Sequence, residues 1–105
     1  MSQTLTEVQA EVTRQLNRDY GRCATAHVQN LCICGLTEEA GEVAGLMKRV
    51  LRNNPADRVR CTKDKFIEEM GDVLWYLAAC CETQGTSLDE IWEYNKQKLK
   101  ERYGE

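Results

Sequence analysis

Apolar positions recur every three to four residues along most of the chain. Leu5, Val8, Val12, Leu16 and Tyr20 form the first stripe, with the spacing of an amphipathic helix. Thr4 and Glu7 have the spacing of a capping box at its start, and Gly21 is placed to end it. A second helix is predicted from about residue 25 to about residue 51, where Asn53-Asn54-Pro55 breaks it. A loop follows to about Cys61, then a third helix over roughly 62–83, interrupted by Gly85. Ser87-Leu88-Asp89-Glu90 reads as a second capping box, opening a fourth helix that reaches about Tyr103. No segment alternates with period two for long enough to be a strand, and no internal repeat is evident. The pattern predicts an all-α, four-helix bundle with two long central antiparallel helices, each about 30 to 37 Å long.

Composition makes the expected core thin. The 105 residues fit one domain, 1–105, and only 21 of them are Leu, Val, Ile or Phe. A chain of this size buries only about two-thirds of its unfolded surface. Its net charge of -3 is too small for a typical disordered chain. A folded subunit that gains burial by pairing with another copy is therefore expected. One Pro and seven Gly exclude collagen-like and linker classes. No apolar run is long enough to span a membrane, so no membrane partner is expected. The polar start, Met1-Ser2-Gln3-Thr4, is not the pattern of a signal peptide, and a cytoplasmic location is expected.

The small net charge conceals a local excess. Lys48, Arg49, Arg52, Arg58, Arg60, Lys63 and Lys65 outweigh Asp57 and Asp64, giving +5 over residues 48–65 and -8 elsewhere. A basic segment in an acidic chain suits a small anionic ligand better than a nucleic acid. The six cysteines carry no C-x-x-C spacing, and His27 is the only histidine. They are read as reduced thiols that pack as small core residues, not as zinc ligands.

Carboxylates stand where apolar residues are expected. In the second helix Leu36, Ala40, Val43, Leu46, Met47 and Val50 share an arc that contains Glu39, with Glu42 at its edge and Glu38 nearer solvent. In the third, Phe66, Ile67, Met70, Leu74, Leu77 and Cys81 share an arc bordered by Glu69, and Asp72 and Tyr76 continue that border. Trp75 points away from this stripe and reads as a core or interface residue; Trp92 reads as core. Acidic helix faces are commonly just solvated. Two i,i+3 acidic pairs on the core edges of consecutive long helices are more specific, because they would repel unless neutralised. Oxygen-only ligands favour Mg²⁺, Mn²⁺ or Ca²⁺.

Residues 36–43 (LTEEAGEV), 68–77 (EEMGDVLWYL) and 95–103 (NKQKLKERY) resemble the MazG-like nucleotide pyrophosphohydrolases, in the all-α nucleoside triphosphate pyrophosphatase superfamily. The 26 residues between Glu42 and Glu69 fit that family's spacer of about 12 to 28 residues between E-E-x-x-E and E-x-x-D. The resemblance implies Mg²⁺-dependent hydrolysis of (deoxy)nucleoside triphosphates between the α and β phosphates, as in nucleotide-pool house-cleaning, with Mn²⁺ as a substitute cation. It implies Glu39, Glu42, Glu69 and Asp72 as metal ligands. It gives Glu38 or Glu39 the task of orienting the attacking water. It implies Tyr76, Asn95, Lys98 and Arg102 as nucleotide contacts, with His27 at the base pocket, and a homodimer or homotetramer. The main alternative is a non-catalytic helical oligomerisation module that retains the acidic cluster. A ferritin-like di-iron bundle would need E-x-x-H pairs, which His27 does not supply.

Overall fold

The computed structural model describes residues 2–21, 25–52 and 63–104. They form four helices: α1 (Leu5–Tyr20), α2 (Ala26–Leu51), α3 (Lys63–Thr83) and α4 (Leu88–Tyr103). No strand occurs among the described residues, so the all-α expectation holds. The loop expected before Cys61 lies outside the described residues, as do Cys23 and Cys61.

Local chemistry sets the helix ends. At α1, Glu7 N–H donates to Thr4 Oγ1 (3.1 Å) and Thr4 N–H donates to Glu7 Oε1 (3.0 Å), completing the expected box. Thr25 Oγ1 accepts from Val28 N–H (3.3 Å) to start α2. At α4 the box is only half made: Ser87 Oγ accepts from Glu90 N–H (3.0 Å), but the Glu90 carboxylate takes the Thr86 hydroxyl instead. The end of α3 is a Schellman turn, with Thr86 N–H bonded to Cys81 O (2.9 Å) and Gly85 N–H to Glu82 O (3.2 Å). Gly85 has φ +74°, which a residue without a Cβ adopts without strain.

Helix α3 is central: it packs antiparallel along α2 and against α1, while α4 meets α1 and the end of α3. The main core cluster comprises Val12, Leu16, Val28, Cys32, Ala78, Ala79, Cys81 and Leu88. This cluster comes from one end: α1, the first turns of α2, the last turns of α3 and the first residue of α4; Leu46, also fully buried, lies apart from it near the far end of α2. Cys32 and Cys81 pack here as expected, whereas Cys34 is exposed. Burial raises the pKa of the Cys80 and Cys81 thiols, so they stay protonated at neutral pH.

Three glutamines tie this end together. Gln9 is buried, donates from Nε2 to Thr86 O (3.0 Å) and Glu82 Oε2 (3.4 Å), and accepts at Oε1 from Leu88 N–H (2.7 Å). Gln29 donates to Thr83 O (2.9 Å), and Gln15 accepts from Trp75 Nε1 (2.8 Å). Each satisfies a polar group that would be costly to bury unpaired.

The other end is more open, although Leu46 is fully buried there. With 16 residues against 26, α1 is about 24 Å long beside an α2 of about 39 Å, so it covers only part of the hairpin that α2 and α3 make. The apolar arc read on α3 is consequently not a core face within one chain. Leu77 and Cys81 are covered, but Phe66, Ile67, Met70 and Leu74 are exposed, as are Ala40 and Met47 of α2. Trp92, read as core, is 51% exposed. Periodicity marks a face as apolar without saying what covers it. The radius of gyration, 16.6 Å, exceeds the roughly 13 Å of a compact chain this long.

Candidate active site

The acidic residues meet where α2 and α3 leave the core end. Glu69 and Asp72 lie three residues apart on one face of α3. Glu39, mid-way along α2, faces them. One carboxylate oxygen from each of Glu39, Glu69 and Asp72 lies within 4.8 Å of the others. Glu39 and Glu69 are half-buried and Asp72 is exposed, so the group is anchored in protein and open on one side. Partial burial raises the pKa of Glu39, and the charges of Asp72, Glu38, Glu42 and Glu69 push it further. Lys65, one turn before Glu69, places Nζ 3.3 Å from the Glu69 carboxylate and 3.7 Å from Glu68.

Glu42 does not join the three. It is exposed one turn further along α2 and acts on Glu39 only through its charge. Glu38 is also exposed, next to Glu39.

Beside the carboxylates lies a cleft of about 400 Å³ lined by Asp19, Tyr20, Glu39, Asp72, Trp75 and Tyr76. Tyr76 is where the α3 stripe puts it, one turn beyond Asp72. Burial raises the pKa of its hydroxyl. Trp75 was expected to point away but lines the same cleft. Its ring packs on the core, meets Tyr76 edge-on with centroids 5.0 Å apart, and donates to Gln15. Asp19 and Tyr20 were missed by the sequence reading. The available signal was that Tyr20 ends the α1 stripe directly before Gly21, which caps the helix.

The remaining candidates lie elsewhere in the single chain. Asn95 is half-buried in an apolar groove with Leu5, Leu74, Leu77, Ile91 and Trp92, and does not line the cleft. Lys98 and Arg102 are exposed on α4. His27 is exposed in the first turn of α2, twelve residues and about 18 Å along the axis from Glu39. Of the basic segment, Lys48, Arg49, Arg52, Lys63 and Lys65 are described and flank the far end of the hairpin. No described helix is long and apolar enough to cross a membrane.

Residues 28–105 match the family model of the MazG nucleotide pyrophosphohydrolase domain. The chain is 30% identical over 82 residues to the Gene 37 protein of Mycobacterium phage L5, covering 78% of this chain and 72% of that protein. It is 33% identical over 73 residues to Uncharacterized protein YvdC of Bacillus subtilis (strain 168), covering 65% of this chain and 69% of that one. No solved structure matches the chain at a significant level. The matched segment holds α3, α4, all but the first two residues of α2 and every acidic residue of the cluster; the chain belongs to the MazG nucleotide pyrophosphohydrolase family.

Proposed function

We propose that the chain hydrolyses nucleoside or deoxynucleoside triphosphates between the α and β phosphates, releasing a monophosphate and pyrophosphate. The observation that carries this reading is the convergence of Glu39, Glu69 and Asp72 from two helices. Their donor set suits a hard divalent cation: the oxygens are negatively charged, mutually repelling and open on one side. Glu39, Glu69 and Asp72 would hold Mg²⁺, or Mn²⁺ in its place, with Glu42 as the further ligand that the family resemblance implies. When bound, the cation neutralises phosphate charge and acidifies water.

The protein's own groups supply the rest. Either Glu38 or Glu39 accepts the proton of the attacking water as its oxygen bonds to phosphorus and the bridging P–O bond breaks. Tyr76 offers an aromatic face to the nucleoside. The basic flank of the hairpin balances the triphosphate's charge. Asn95, Lys98 and Arg102 contact nucleotide in the assembled protein, where a second copy supplies them to the cleft. The exposed Phe66, Ile67, Met70 and Leu74 are the surface on which copies pair as a dimer or tetramer. The substrate pool is cytoplasmic, and the proposal puts the enzyme there.

The test is a panel of nucleotides incubated with Mg²⁺ and scored for monophosphate and pyrophosphate. The expected result is α–β cleavage that requires Mg²⁺. Release of orthophosphate by the purified enzyme would overturn the cleavage site. No turnover of any nucleotide would overturn the activity and favour the oligomerisation module. Sizing should give a dimer or tetramer that Met70→Glu converts to monomer; a monomeric wild type would overturn the assembly.

A further inference from the structure

Glycine in the middle of a helix costs roughly 0.5–1 kcal/mol relative to alanine. Four glycines stand inside α2 and α3: Gly35, Gly41, Gly45 and Gly71. At Gly41, Gly45 and Gly71 an added Cβ would meet nothing within 4 Å. At Gly35 it would come within 2.5 Å of Tyr76 Cδ1 and 2.6 Å of Cζ, and closer still to Cε1. The Tyr76 ring therefore lies directly on the backbone of α2, in space that any other side chain would fill. Gly35 is one turn before Glu39, and Tyr76 is one turn beyond Asp72, so this contact adjoins the carboxylate cluster on both helices.

We infer that Gly35 is a positioning residue that seats Tyr76 and thereby sets the depth of the nucleoside cleft. With a Cβ at residue 35 the ring must leave its seat. Trp75 stands edge-on to it, 5.0 Å away, and Tyr20 lies across the cleft. The displaced ring then takes up volume that a nucleoside would fill. Gly35 touches no substrate; it acts through Tyr76. This inference rests on the proposed nucleotide hydrolysis and goes beyond it by assigning a determinant of nucleoside fit on the opposite helix.

The test is a double-mutant cycle of Gly35→Ala and Tyr76→Ala, read by kcat, KM and the Mg²⁺-induced rise in Tm. Gly35→Ala should raise KM about tenfold or more, with kcat and the Mg²⁺-induced rise in Tm little changed. In the Tyr76→Ala background, which leaves room for the methyl group, Gly35→Ala should add no further loss. Should Gly35→Ala alone fail to fold, a folded double variant with the kinetics of Tyr76→Ala would support the seat. An unchanged KM in folded Gly35→Ala, or equal losses in both backgrounds, would overturn the inference while leaving wild-type hydrolysis intact. A wild type that turns over no nucleotide would instead overturn the reading on which it rests.

Discussion

At one end of the molecule, parts of all four helices close over Val12, Leu16, Cys32, Ala79 and Leu88, and glutamine side chains satisfy the backbone groups around them. At the other end, α2 and α3 run on together, with Phe66, Ile67 and Met70 open to solvent and the carboxylates set at the junction. The first region is built from packing and hydrogen bonds that agree. In the second, partial burial raises the pKa of Glu39 and the neighbouring carboxylates push it further. Such repulsion is tolerated because the free energy of folding is supplied elsewhere in the chain. The difference separates the residues that make the bundle from those that make it useful.

The largest expected effect lies in the second region. Glu39→Gln and Asp72→Asn should each reduce hydrolysis by about a hundredfold or more, yet leave the Tm of the metal-free protein unchanged or raised, since each removes a repelling charge. Steady-state kinetics and thermal unfolding in EDTA check both halves. A fall in Tm matching the fall in rate would break the division of labour. Next, Leu16→Ala in the first region should cost about 2–5 kcal/mol in denaturant unfolding, with the folded fraction keeping its wild-type KM. Gln9→Leu should cost about 1–3 kcal/mol, because Leu88 N–H and Thr86 O lose their partner. Its α4 amides should exchange faster than those of α2.

The smallest effect is expected at the surface of α1. The hydrogen bond from Arg14 holds the Glu11 carboxyl down to about 2. A lowered native pKa gives stability that is present above the ordinary carboxylate pKa and lost as pH falls through about 2. The pair is solvent-exposed, so Glu11→Gln should leave Tm almost unchanged at pH 7. A pH titration of Tm in both proteins checks the sign.

The helices were legible because their signals are local. Thr4 and Glu7 are neighbours on the first turn, and Gly21 and Gly85 have the positive φ that ends or turns a helix without strain. The acidic positions were legible because a carboxylate in an apolar arc is an anomaly visible in one helix alone. What was not legible depends on which helix lies over which. Trp75 was read outward because its angle on α3 differs from that of Asp72, but α1 folds across both and makes Trp75 and Tyr20 walls of one cleft. The exposure of Phe66 follows from the shortness of α1, which a stripe of apolar residues on another helix does not encode. Gly35 looked like any small residue, because the ring it accommodates is 41 positions away.

Gln9 carries one further consequence. Its amide gives hydrogen atoms to an oxygen and a carboxylate on one side and takes a hydrogen from a nitrogen on the other. A glutamate there offers only acceptors, a lysine only donors, and an asparagine is one methylene too short. Sliding α1 by a single residue would put Val8 or Ala10 before those same groups, and neither can answer them. The position works as a key cut for one lock: it fixes the register of α1 against the turn between α3 and α4. Through that register it fixes where, about three turns along the helix, Asp19 and Tyr20 arrive at the cleft.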